Sequence, residues 1–329
     1  MNVGVIQRRS LLAALAAAGP TASAWAHRGA GFPERAVRLV VPYSVGIGPD
    51  VVARSVAERL AQRWGQPVLV DNKPGASGIV AFGDVRRTPP DGHTLYLADT
   101  ATLAVNPLLH ASLPYDPVRD LAPLTLLFRA TFVLLTGGSS RLHNVADLLE
   151  AARRTPEGVS YATLGNGHAS QLAVETMARA AGLRLLHVPF KDAGALFTAV
   201  ASGDVDFTAF SVNSTAGLLA AGKLRPLAVA ARQRLATHPH LPTLAEAGGP
   251  PVAMHPWAAL VAVAGTPAPL LAQLHQAVTA VMALPEVRAQ AEQAGFELTP
   301  STPQGLRDRI EADIALYRPL VIEGRIARL

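Results

Sequence analysis

Apolar residues fall along this chain in two alternating styles, short continuous runs and longer stretches with one apolar side. Residues 37–43 (VRLVVPY) form a nearly continuous apolar run, the pattern of a strand buried on both faces. Residues 50–64 follow with Val52, Ser55, Val56 and Leu60 on one side, which is helical spacing. Gly65-Gln66-Pro67 ends that helix, and 68–70 is a second strand. The turn-rich DNKPGASG leads into a short helix over 79–87, closed by Pro89-Pro90-Asp91-Gly92. A third strand is predicted at 94–98. Strand and helix alternating in this way predict a parallel sheet with right-handed crossovers.

The segment from about 132 to 227 repeats the style. Helices at 145–154, 170–181, 194–201 and 214–221 alternate with strands at 159–163, 185–188, 206–210 and 226–230. The tail is mostly helix, over 269–283, 285–295 and 303–319, with proline at or near each start, where its preset φ suits the first turn. Two sheets of similar size, with the last helices returning to the first, predict an α/β protein of two lobes around a cleft. Each lobe is expected to be a mainly parallel sheet flanked by helices. The expected boundaries are 27–130 plus 255–329 for the first lobe and 131–254 for the second.

The first residues do not belong to this pattern. Arg8-Arg9, an apolar run at 11–18 and small residues ending Ala24-Trp25-Ala26 follow the order of a secretory signal over 1–26, cleaved after Ala26. The apolar run is too short to span a bilayer. The paired arginines leave Sec and twin-arginine export both open. An exported protein of the periplasm is expected. The chain has no cysteine, which excludes a disulfide framework and a thiolate site. Its formal charge of +5 is scattered, with no basic stripe, so a nucleic-acid or membrane footprint is not expected.

Motifs that would carry catalysis are missing from the sequence: no G-x-S-x-G, H-E-x-x-H or G-x-G-x-x-G occurs. Gly217 to Lys223 has the spacing of a phosphate loop but continues with Leu224, and it lies between a helix and the following strand, the reverse of the required order. Gly222 reads instead as a helix C-cap. His238 and His240 flank Pro239 in a polar loop with no partner at metal-binding distance in sequence. Asp204 and Asp206 share one face by strand period, as solvated edges commonly do. No metal and no cofactor is expected.

Loops at strand C-termini remain. Ligands of open parallel sheets bind there, where N–H groups at helix N-termini point outward. Four stretches qualify, at 43–50, 99–106, 164–170 and 211–214. Gly46, Gly48, Gly165 and Gly167 would let backbone approach a ligand closely, although simple turn geometry accounts for each glycine equally well. A side chain at Gly48 is expected to abolish binding and leave the fold intact. Asp50 reads as a helix cap rather than a ligand contact.

At these loops the chain resembles the substrate-binding proteins of tripartite tricarboxylate transporters, the Bordetella uptake gene (Bug) family. The resemblance rests on an ordered series: FPERAVRLVVPYSVGIGPDVVAR, GQPVLVDNKPGASG, PPDGHTLYLADT, AVNPLLHASLPYDPVRDLAPLTLL, YATLGNGHASQLA, HVPFKDAGAL, AGKLRPLAVAA, LPTLAEAG and WAALVAVAGTP. It implies a type II-like periplasmic binding fold that closes on a small carboxylate and performs no catalysis. The implied ligand-binding residues are Tyr43, Ser44, Gly46, Ile47, Gly48, Thr100, Asn166, Gly167, His168, Ser170, Ala193 and Asn213. The implied mechanism holds the carboxylate on helix N-termini and backbone amides, often through water, in place of an arginine clamp.

Several positions depart from the family pattern. In its G-G-G-T-D loop this chain has Ile47 for a glycine and Pro49 for the threonine, which removes a hydroxyl and an N–H. His168 and Ala169 replace Thr and Ser; Asp192-Ala193 replaces a small, hydroxyl-bearing pair; and Ser211 stands where many relatives have aspartate. Asp192 is expected to bring negative charge near the cleft. His168 either meets the ligand and charges with pH or is an exposed loop residue. The family's ligands include dicarboxylates, citrate-like acids, acidic amino acids and aromatic carboxylates, and Ile47 favours a less polar one. The expected partners are that ligand and permease subunits or a sensor protein, with the chain itself monomeric. A periplasmic enzyme on the same scaffold and a non-binding interaction partner are the alternatives.

Overall fold

The structure is a computed structural model that describes residues 31–253 and 255–329. The expected signal segment, 1–26, lies outside the described residues.

Burial of β1 (Val37–Val41) explains its apolar run: every residue but Arg38 is buried. α1 (Gly48–Trp64) starts two residues earlier than expected, because Pro49 sits in the first turn, where no N–H is needed. There follow β2 (Val68–Asn72), a short turn of helix at Ala76–Gly78, α2 (Ile79–Val85) and β3 (Thr94–Asp99). A π-helical turn, Ala101–Val105, runs into α3 (Asn106–Leu109). Two strands, β4 (Leu121–Ala130) and β5 (Val133–Gly137), then lead into the second half. That half comprises α4 (Val145–Arg154), β6 (Ser160–Thr163), α5 (Ala169–Ala180), β7 (Leu186–Pro189), α6 (Ala193–Ser202), β8 (Phe207–Phe210), α7 (Val212–Ala220) and β9 (Leu224–Val229). The chain returns through β10 (Trp257–Val263), α8 (Ala268–Met282), α9 (Pro285–Gln293), β11 (Phe296–Leu298) and α10 (Pro303–Ile322).

The described strands form a six-stranded sheet, β11-β4-β10-β3-β1-β2, and a five-stranded sheet, β7-β6-β8-β5-β9. The expectation of mainly parallel sheets is corrected: both are mixed. β1 pairs in parallel with β2 and β3, but β10 is antiparallel to β3 and β4, and β11 to β4. In the second sheet β6 is parallel to β7 and β8, while β5 is antiparallel to β8 and β9. β5 and β10, each antiparallel to both its neighbours, are the strands by which the chain enters one sheet from the other. The crossings lie side by side, with Ala130 N–H donating to Pro256 O at 2.8 Å, a geometry suited to a two-stranded hinge.

α10 also runs beyond its expected end, continuing through Pro319 to Ile322. A proline there forfeits one backbone bond in the last turn, and burial of Leu320 and Val321 offsets the loss. Gly222 has φ +66 and its N–H reaches Leu219 O at 3.0 Å, so the phosphate-like spacing is a helix terminus. Asp206 accepts from the N–H and hydroxyl of Ser160, both at 2.8 Å, and Asp204 from Ser202 at 2.7 Å. Asp204 therefore serves a local turn, and Asp206 ties the start of β8 to the start of β6.

Candidate functional site

Three helix starts on the five-stranded side are closed by the residue just ahead of them. His168 Nδ1 accepts from Ser170 N–H at 3.2 Å ahead of α5. Asp192 accepts from Ala195 N–H at 2.9 Å ahead of α6. Ser211 accepts from Ser214 N–H at 3.4 Å ahead of α7. Thus all three departures are residues whose side chains accept hydrogen bonds at a helix start.

α1 is arranged differently. Ile47 precedes it and gives no side-chain cap. Order comes from inside the helix, where the fully buried Asp50 reaches back to accept Gly46 N–H at 2.8 Å and also binds Arg54 Nε at 2.9 Å and Asn72 Nδ2 at 2.7 Å. Burial alone would raise the Asp50 pKa; the bonds from Arg54, Gly46 and Asn72 outweigh it and hold the carboxyl below its ordinary value. Because Arg54 balances the carboxylate, the positive end of the α1 dipole stays available to an anion. Asn72 Nδ2 also donates to Tyr43 O at 2.9 Å, fixing the loop at its other end. Asp50 therefore does cap, but through the loop rather than from the position ahead of the helix.

The expected binding residues divide by what already engages them. Gly46 and Gly48 line a groove of ≈ 670 Å³ together with Asn213, Ser214, Arg54 and Gln293. Ser44 and Ile47 are exposed beside it, and Val45 is 69% exposed. Tyr43 gives its hydroxyl proton to Asp99 Oδ2 at 2.6 Å, and burial followed by the Asp99 charge pushes its pKa well up. Thr100 is buried with its hydroxyl 3.2 Å from Trp257 O. Asn166 Nδ2 donates to Ala327 O at 2.8 Å. Gly167 packs so that a Cβ would stand 2.6 Å from Leu109 Cδ1. Ser170 is fully buried, 2.7 Å from His168 Nδ1. Ala193 is the half-buried first residue of α6. Asn213 Nδ2 reaches across to Glu292 O at 3.0 Å and Gln293 O at 3.1 Å at the end of α9.

Two expectations change. His168 is neither exposed nor charged at neutral pH: its ring stacks on Phe210 with centroids 6.0 Å apart, and burial pushes its pKa down to about 4. Gly48 is not a clean probe of the site, since a Cβ there would lie 2.5 Å from Phe296 Cε2. Asp50, Asn72 and Arg54 were not in the expected set. Asp50, three residues past Ile47 and four past Gly46, was the one local clue to them.

The C-terminal residues tie the two sides together. Arg325, after α10, pairs with Glu175 of α5 at 3.2 Å, and both are nearly buried. Glu175 also accepts the Tyr161 hydroxyl at 2.6 Å. Leu329 N–H donates to Leu109 O at 2.8 Å.

Comparison with known proteins gives this geometry a context. A family model described as the tripartite tricarboxylate transporter family receptor matches residues 52–324. The structure of R. palustris Rpa4515 with adipate is similar at a TM-score of 0.81 and 32% identity, covering 91% of this chain and 100% of that one. Periplasmic binding protein BugD is similar at 0.77 and 28%, covering 91% and 100%. MatC (Rpa3494) from Rhodopseudomonas palustris with bound malate is similar at 0.76 and 28%, covering 88% and 99%. The fold is that of a two-lobed periplasmic binding protein.

Proposed function

Since the chain belongs to the tripartite tricarboxylate transporter receptor family, whose members bind solutes, we propose that it captures a small organic carboxylate between its lobes in the periplasm. It would pass this ligand to membrane permease subunits or to a sensor protein. The observation that carries the reading is the start of α1, which has no side-chain cap, is held open by Asp50 and lies in a groove shared with Asn213 and Ser214 of the opposite lobe. A helix start of this kind carries about half a positive charge and outward N–H groups. Relatives of the same architecture hold adipate and malate, both dicarboxylates.

Within this reading the first lobe comprises 27–130 plus 255–329 and the second 131–254, and the crossings near Ala130 and Pro256 form the hinge. Gly46, Ile47, Gly48 and Ser44 contact ligand from the first lobe, and Gly167 and His168 from the second. Tyr43, Thr100, Ser170 and Asn166 act behind them by fixing loops, Ala193 flanks the site, and Asn213 joins the lobes. Binding, release and delivery require no catalysis.

A thermal-shift panel of mono- and dicarboxylates, amino acids and aromatic acids tests the proposal. A true ligand at a hundredfold its Kd stabilises the protein by about 2.7 kcal/mol. A flat panel refutes capture of such acids, and turnover of a bound acid would replace the binding protein by an enzyme.

A further inference from the structure

Gln171 and His187 have no part in the reading above, yet they hold the backbone of a loop it depends on. Gly167 N–H donates to Gln171 Oε1 at 2.7 Å, and Gln171 Nε2 lies 3.2 Å from His187 Nδ1. His187 Nε2 lies 2.6 Å from Thr163 Oγ1, which is 3.2 Å from Gly165 O. The direction of every bond follows from the first. A backbone N–H only donates, so Gln171 turns its oxygen to Gly167 and its NH₂ to His187. His187 Nδ1 must then offer a lone pair, and the ring proton sits on Nε2. That proton goes to Thr163, and the Thr163 hydroxyl donates to Gly165 O. The chain thus leaves the turn at Gly167 and re-enters it at Gly165, through Gln171 and Thr163, which are 1% and 0% exposed.

We propose that Gln171 and a singly protonated His187 are positioning residues for the turn at 165–168, and that a second proton on His187 releases the turn and lowers ligand affinity. The effect on affinity rests on the reading that this turn borders the ligand. A doubly protonated ring sets an N–H against the Gln171 NH₂. If Gln171 rotates to relieve this, its NH₂ faces Gly167 N–H instead. In either state a buried donor loses its acceptor.

Around His187, Tyr161 and Thr163 project from β6 and Gln171 from α5. The Tyr161 ring stacks at 5.1 Å. Glu175 lies one hydrogen bond further, behind the Tyr161 hydroxyl, and is paired with Arg325. Burial therefore governs the ring and favours its neutral form.

The test is hydrogen exchange at the Gly167 amide, read as protection relative to the free peptide, in ligand-free wild type, His187→Gln and Gln171→Met at pH 7.5 and pH 5. His168 sits in the turn itself and also favours its neutral form. Wild type is therefore expected to lose at least tenfold more protection at pH 5 than His187→Gln, whose remaining loss is that of His168. Gln171→Met is expected to be unprotected at both. Should Gln171→Met fail to fold, wild type against His187→Gln still decides. Equal wild-type protection at the two pH values, or an equal loss in His187→Gln, overturns the proposal. Adipate titrations under the same conditions read the coupling: Kd should rise severalfold more at pH 5 in wild type than in His187→Gln, whose rise is that of the ligand's own carboxyls and of His168. An equal rise in Kd in the two proteins alongside unequal protection overturns the link to ligand. Absence of adipate, malate and benzoate binding at pH 7.5, with exchange as expected, sinks the carboxylate reading and supports the positioning pair.

Discussion

Gly46 and Gly48 are interchangeable in a sequence motif, and their surroundings separate them. Gly46 adopts φ +84, and a Cβ added there would meet nothing within 4 Å, so Gly46→Ala faces only backbone strain, about 1 kcal/mol. Gly48 has ordinary φ, but its Cβ would stand 2.5 Å from the Phe296 ring and 3.4 Å from Ala294 O. Gly48→Val should therefore lower stability in urea unfolding by about 1–3 kcal/mol, and a Gly48→Val protein as stable as wild type would remove this packing argument. The candidate loops were legible in the sequence because polar residues and glycines cluster after strands. The partners were not: Asn166 meets Ala327 and Asn213 meets Glu292, far away in sequence. Nothing local marks a side-chain amide as tied to a distant carbonyl.

At the scale of elements, periodicity served helices best. α4 has the expected bounds, 145–154, because its apolar stripe and its Asn144 cap agree. β4 and β10 carried no assignment, although both lie inside the six-stranded sheet. β4 contains Pro123, a residue that argues against a central strand, and the register shifts in its pairing with β10 show how the sheet accommodates irregularity. Continuous burial also hides the alternation that would reveal a strand. The segment after α10 was equally silent, since its role lies in contacts with α5. Arg325→Met should cost about 3–5 kcal/mol by leaving Glu175 buried without its partner. Arg325→Met with Glu175→Gln should recover most of that. A double-mutant cycle in urea checks the pair, and additive losses would count against direct coupling.

For the whole molecule, three histidines lower stability as the solution turns acid, against a smaller opposing effect from the buried carboxyls of Glu175 and Asp313, whose pKa values burial raises. Burial lowers the pKa of His168 to about 4 and also lowers those of His187 and His255, with repulsion from Arg129 adding at His255. Each folded value lies below that of the unfolded chain, so the unfolded state takes up protons first as pH falls. Their stabilisation is complete above about pH 6.5 and is lost below it, with His168 alone accounting for on the order of 3 kcal/mol by pH 4. Tm should fall by several degrees from pH 7 to pH 5, and a level Tm over that range would contradict the assignment. The two-lobed plan was readable from the alternation of elements, whereas the mixed pairing was not, because strand direction depends on how the chain crosses between sheets.

Asn213 has a consequence for selectivity. Its two bonds to the α9 carbonyls join protein to protein, so if the lobes close on a ligand as proposed, they would add one constant increment to the binding of every ligand. They cannot discriminate between ligands, because discrimination needs a contact whose strength differs from one to another. Asn213→Ala should weaken all ligands by a common factor, about three- to tenfold at roughly 1 kcal/mol of net bonding, and leave their rank order unchanged. A changed rank order would place the Asn213 amide on the ligand itself. On the proposed function, closure strength and ligand choice would then be encoded at separate residues, and one could drift while the other is kept.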